Sequence, residues 1–319
     1  MPAQPPDGQP AAAVNGHVAA VAAEIERAFC TRTAPRVGER APDVWVRACE
    51  DLLDRGLLGP AELALKHLRE AYPDLTYART MTKLFDVEPD ELAPLFELPL
   101  GSGGDVQIVR RPDSDAVLLV FCGQGKRVGM PVSLAHRWLG RLPASVIYFR
   151  DFRKLAGGIG YPSLGPDRPS TIRSLTRLIA DLGARRIYTY GNSAGTFAAF
   201  HYGVNLGAEA ALGLAGPTNL TADFNAPLRP RGSLYLDVAA ASPDYAVALR
   251  PLLAAGSSGP RVMYVYGSEV AKDRAYAEHI AGLPSVELVP LEGHARHNVV
   301  VPAILRGRYP SLLRRLFGI

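Results

Sequence analysis

Cysteine is scarce, with three in 319 residues at Cys30, Cys49 and Cys122. Their odd number, wide spacing and lack of any Cys-x-x-Cys pair argue against a disulfide framework and against thiolate metal sites. Reduced thiols in a cytoplasmic protein are the expectation. Long apolar runs are missing too: no stretch reaches the roughly 18 residues a membrane span needs. The alanine-rich N-terminal stretch lacks a basic segment ahead of it and is interrupted by Glu24, Glu26 and Arg27, so no secretory leader is expected. Concentrated charge is the third absence. The net charge is only +4, and basic residues such as Arg173, Arg177, Arg185 and Arg186 are scattered. Scattered charge makes a solvated surface rather than a nucleic-acid footprint, so no nucleic-acid partner is expected.

What the chain does have is apolar content: 48% hydrophobic against 21% charged residues, the balance of a globular domain. Residues 1–17 are an exception, rich in Pro, Ala, Gln and Gly, and read as a disordered tail because they offer little to bury against their ordering entropy. Residues 18–100 read as a helical N-terminal extension. There Val44, Val46, Leu52, Leu53, Leu57 and Leu58 precede Pro60, and Leu63, Leu65, Leu68 and Tyr72 precede Pro73; each proline is expected to close one helix of an antiparallel pair. The stretch Trp45–Pro73 loosely resembles a single tetratricopeptide-type hairpin. One unit does not make a repeat array, so a helical cap packed on the main domain is expected instead.

Beyond Gly101-Ser102-Gly103-Gly104 the period changes, which places the main domain at 101–319. Strands are expected at 105–110, 116–122, 146–149, 186–190, 210–215, 262–266 and 286–291. Helices are expected at 134–142, 172–182 with Ser170 as cap and Gly183 as stop, 196–205, 245–253, 274–283 and 299–317. Continuous apolar strands such as Ala116–Cys122 belong to sheets covered on both faces. The fold class is therefore α/β: a mostly parallel central sheet with helices on both faces. A short cap is expected at about 216–242, around Phe224, Leu228, Leu234 and Tyr235.

The chemistry-bearing motif is Gly191-Asn192-Ser193-Ala194-Gly195. It matches G-x-S-x-G, and it falls between a strand and a helix, the context that gives the pattern meaning. Small residues at 191 and 195 allow the sharp turn that would lift Ser193 above the strand ends. A plain glycine-rich turn receiving phosphate is the competing reading. The order of elements, with this turn after a central strand and a histidine after the last strand, resembles the α/β-hydrolase superfamily over residues 105–319.

That resemblance implies a base, an acid and an oxyanion hole. The base lies in Leu291–Asn298, which offers two candidates: His297, which is favoured, and His294. The acid belongs in the loop 267–273. Val270 stands where such chains often carry Asp, so Asp273 leads, followed by Glu269 and then by Asp223 after the preceding strand; a helix-capping role for Asp273 and a Ser-His pair with a weak third partner both stay open. The oxyanion hole implied is the Ala194 N–H with Gln124 as its second donor and Gly123 as runner-up. His17, His67, His136, His201 and His279 read as surface or packing residues, and Cys122 as core.

The expected function is serine hydrolysis of an ester or thioester through an acyl-Ser193 intermediate, with a small-molecule or acyl substrate, no cofactor and no metal. Three alternatives remain: an acyltransferase on the same residues, a non-catalytic protein of this fold whose N-terminal helices bind a protein partner, and phosphate or nucleotide binding at the glycine turn.

Overall fold

The computed structural model describes residues 11–37, 41–89, 95, 98, 104–228, 243–255 and 259–319. Two compact units emerge: residues 1–88 with 131–136, and residues 89–130 with 137–319.

The first unit is built from α1 (Ala11–Thr31), α2 (Pro42–Asp54), α3 (Leu58–Ala71) and α4 (Thr76–Asp86). α1 packs on α2 and α3, α2 on α3, and α3 on α4, around buried Ile25, Trp45, Leu52, Leu65, Leu68 and Leu84. Two features differ from the sequence reading. α1 begins at Ala11, inside the stretch read as a tail, because Ala11-Ala12-Ala13 favours helix strongly; residues 1–10 lie outside those described. Pro60 sits in the first turn of α3 rather than ending a helix. There its missing N–H has no helical partner to lose.

In the second unit the strands are β1 (Val106–Val109), β2 (Ala116–Phe121), β3 (Ser145–Phe149), β4 (Arg186–Asn192), β5 (Ala210–Leu214), β6 (Arg261–Gly267) and β7 (Val286–Leu291). They form one seven-stranded sheet in the order β1-β3-β2-β4-β5-β6-β7. β1 runs antiparallel to β3, and every other pairing is parallel. β2, β3 and β5 are buried along their whole length, as their unbroken apolar sequences demand.

Among the described residues the further helices are α5 (Val132–Leu139), α6 (Arg168–Asp181), α7 (Gly195–Asn205), α8 (Ala222–Asn225), α9 (Leu249–Ala254), α10 (Ala271–Ile280), α11 (Val300–Leu305) and α12 (Tyr309–Phe317). The alternation of β4 shows how both faces are covered. Thr189 lies against Gly203 of α7. Tyr188 stacks on Phe317 of α12 with ring centroids 4.2 Å apart, and the Tyr309 hydroxyl meets that of Tyr190 at 3.1 Å.

Three helix ends correct the sequence reading. The cap of α6 is Asp167, with Ser170 at its third position completing a reciprocal capping box; a carboxylate facing the helix N-terminus outcompetes a hydroxyl one turn later. The expected helix at 245–253 is a 3-10 turn, Pro243–Tyr245, followed by α9. The final helix divides into α11 and α12 at Gly307, whose φ of +67° is left-handed and ends the first segment. Residues 229–242 of the expected cap lie outside the described residues; 216–228 contain α8 and a bridge between Asn219 and Ala248.

The register fixes where loops meet. Phe121 at the end of β2 pairs with Gly191, Gly191 with Gly213, Leu214 with Val265, and Gly267 with Leu291. The loops after β2, β4, β5, β6 and β7 therefore leave the sheet along one edge, where open parallel sheets bind ligands.

Candidate active site

The turn from β4 into α7 is closed by backbone contacts that leave no room for side chains. A Cβ on Gly191 would stand 2.3 Å from the Gly195 carbonyl oxygen, and one on Gly195 would stand 2.1 Å from that of Phe121. Between them Ser193 is held at φ +52°, a left-handed conformation that a residue with a Cβ adopts only under constraint. The constraint is visible: Ser193 N–H donates to the Leu214 carbonyl at 2.8 Å, and its own carbonyl accepts from Thr196 N–H at 2.9 Å. Gly216, which the sequence reading passed over, completes the clamp, since a Cβ there would lie 1.8 Å from the Ser193 carbonyl oxygen. The signal was present as Ala215-Gly216 directly after a buried strand.

Of the two histidines, His297 reaches the serine, with Nε2 2.8 Å from Ser193 Oγ. Its Nδ1 lies 3.0 Å from both carboxylate oxygens of Asp273. An ionised carboxylate only accepts, so Nδ1 carries the proton and Nε2 presents its lone pair to the serine hydroxyl. Asp273 is completely buried, whereas the His297 side chain is 39% exposed. Asp273 occupies the first turn of α10, whose cap position is Val270 and not Asp273.

The remaining candidates fall elsewhere. His294 bonds elsewhere, with Nε2 2.9 Å from the Asn298 carbonyl oxygen. Glu269 and Asp223 are exposed, and neither side chain joins the histidine among the described residues. His201 is buried against Phe197 and pushed by desolvation to a pKa of about 3, so it stays neutral. His279 hydrogen-bonds Thr218 and Asn219 and is likewise lowered by burial. Burial pushes the Cys122 thiol up to about 12, which leaves it unreactive as a nucleophile.

On the other side of the serine, the loop after β2 comes within contact distance: a Cβ on Gly123 would lie 3.1 Å from Ser193 Cβ. The Gly123 N–H is engaged by the Arg127 carbonyl at 2.8 Å, which takes it out of contention as a donor. Among the described residues the N–H groups of Ala194 and Gln124 have no backbone acceptor. Ala194 is only 2% exposed, and a buried N–H of this kind is costly unless something accepts from it. The described residues contain no cluster of three or more His, Cys, Asp or Glu side chains suited to a metal ion, and no helix among them is long and apolar enough to cross a membrane.

No protein-family model and no curated protein matches the chain. Solved structures do. An esterase of Pyrobaculum calidifontis is 15% identical, covering 84% of this chain and 96% of its own with a TM-score of 0.48. Esterase B of Lactobacillus rhamnosis, solved with a tributyrin phosphonate inhibitor, is 13% identical over 80% of this chain and 95% of its own, TM-score 0.48. A proline iminopeptidase of Mycobacterium smegmatis is 14% identical over 66% and 94%, TM-score 0.40. The parallel sheet with its antiparallel first strand, the serine turn after the central strand and the histidine loop after the last one make this chain an α/β-hydrolase fold.

Proposed function

We propose that this chain is a serine hydrolase that cleaves a carboxylic ester or thioester through an acyl-Ser193 intermediate. His297 Nε2 takes the hydroxyl proton as Ser193 Oγ attacks the acyl carbon. The N–H groups of Ala194 and Gln124 receive the developing oxyanion, and His297 returns the proton to the departing alcohol or thiol. A water molecule, deprotonated by the same ring, then attacks the acyl-enzyme and frees Ser193 with release of the acid. Asp273 holds the ring in the required tautomer and stabilises its charged form.

The observation that carries this reading is the continuous chain from Ser193 Oγ to His297 at 2.8 Å and on to Asp273 at 3.0 Å. A fluorophosphonate probe tests it, because only an activated serine attacks phosphorus at an appreciable rate. Labelling of the wild type, lost in Ser193→Ala with the fold intact, is expected. A folded wild type that takes no label would return the chain to the non-catalytic reading.

A further inference from the structure

We infer that Asn298 is a positioning residue that locks the loop bearing the base to the loop bearing the oxyanion donor, with His294 holding Asn298 in turn; the inference rests on the serine-hydrolase reading above. Asn298 follows His297 directly and is used at three atoms. Its Nδ2 donates to the Gly129 carbonyl at 2.6 Å, its Oδ1 accepts from Val300 N–H at 3.1 Å, and its main-chain carbonyl accepts from His294 Nε2 at 2.9 Å. Two of these bonds shape the turn from β7 into α11. The third crosses to the loop after β2.

That crossing is reinforced by shape. Gly129 has φ +82°, and a Cβ there would lie 2.6 Å from Val300 Cβ and 3.0 Å from Asn298 Oδ1, so the loops touch with no space for a side chain. From Gly129 the constraint runs back to Gln124 through short bonds: Val128 N–H to Met130, Lys126 N–H to Gly123, and Gly123 N–H to Arg127, between 2.8 and 3.1 Å. The base on one loop and the N–H on the other must be spaced to fit a single tetrahedral centre. A displacement of about 1 Å is enough to slow such a reaction by as much as 100-fold. Asn298 is the residue through which this spacing is held. His294, the candidate base that does not reach the serine, thereby acquires a role: its ring N–H anchors the carbonyl of the residue after the true base.

Asn298→Asp isolates the crossing bond. It keeps an oxygen for Val300 N–H but turns the donor to Gly129 into an acceptor that faces a carbonyl. The full chain is compared with Asn298→Asp, Asn298→Ser and His294→Ala by p-nitrophenyl butyrate hydrolysis across pH, fluorophosphonate labelling rate and thermal unfolding. For Asn298→Asp we expect kcat and labelling rate to fall about 30-fold with KM within about twofold, as for lost transition-state alignment. The acidic limb of its kcat/KM profile shifts and the melting temperature stays near wild type. Asn298→Ser and His294→Ala lose about 10-fold and about 3-fold. Wild-type kcat and labelling in Asn298→Asp, or a loss that merely tracks the melting temperature with the pH profile unmoved, overturns the inference alone. A wild type that takes no label overturns the hydrolase reading and this inference with it.

Discussion

The turn after β4 and the loops after β6 and β7 carry neighbouring parts of one site but are held by different forces. At the turn the constraints are steric: Gly191, Gly195 and Gly216 each abut a carbonyl at a distance no side chain survives. Between the first turn of α10 and the loop after β7 the constraints are polar and partly exposed: Asp273 meets His297, whose side chain is 39% exposed. Steric closure admits one backbone path and one residue type at each position. Polar closure admits several, provided donor and acceptor end at the right place. That is why a carboxylate at Asp273, three positions beyond Val270, still meets the His297 ring.

The contrast can be broken at either end. Removing the proposed base gives the largest effect: His297→Ala is expected to lower kcat/KM by roughly 10⁴-fold or more while leaving thermal unfolding nearly unchanged, because the ring is partly exposed to solvent. Asp273→Asn comes next, on the order of 10³–10⁴-fold through loss of the correct tautomer. Glu269→Gln in the same assay stays near wild type, and equal losses in the two variants would misassign the acid. Gly195→Ala acts through the fold instead. Forcing a Cβ against Phe121 is expected to cost about 3 kcal/mol, at the upper end for overpacking, read as a lower denaturation midpoint with activity lost in proportion to unfolding.

The smallest effect concerns the dryness of α7 behind the turn. His201 has a folded-state pKa of about 3, against about 6.5 when unfolded, so at acid pH the unfolded chain binds the extra proton. Its contribution is fully present above about pH 6.5 and declines by about 1.4 kcal/mol per unit as pH falls toward the folded value. Melting curves between pH 7 and 5 should slope less in His201→Asn than in wild type. Parallel slopes would mean that water reaches this helix.

The same contrast explains what the sequence could disclose. Gly191-Asn192-Ser193-Ala194-Gly195 was legible because steric demands act within five residues and leave two glycines as their trace. The parallel sheet was legible because β2, β3 and β5 are buried on both faces and show unbroken apolar runs. His294 and His297 were harder to separate, since both lie in one loop and the choice depends on which way its backbone turns before α11. Asp273 was shadowed by its place in the first turn of α10, where an acidic residue has a structural use of its own. Gly123 and Gln124 are adjacent, and only the bond from Gly123 N–H to Arg127 tells them apart. Pro60 misled for a related reason: a proline punctuates a helix, and its neighbours decide whether it marks the start or the end. Gly307 lies inside the expected 299–317 helix, and its left-handed φ makes the break there.

The left-handed backbone at Ser193 has a consequence for how this chain tolerates change. Only glycine occupies φ +52° without a steric penalty, a penalty of about 1–2 kcal/mol for other residues. Ser193→Gly is therefore expected to be inactive and to melt above wild type. Folding and chemistry pull in opposite directions at this one codon. A library selected only for yield or heat tolerance would drift toward glycine at position 193, and its sturdiest members would be the ones without the serine hydroxyl.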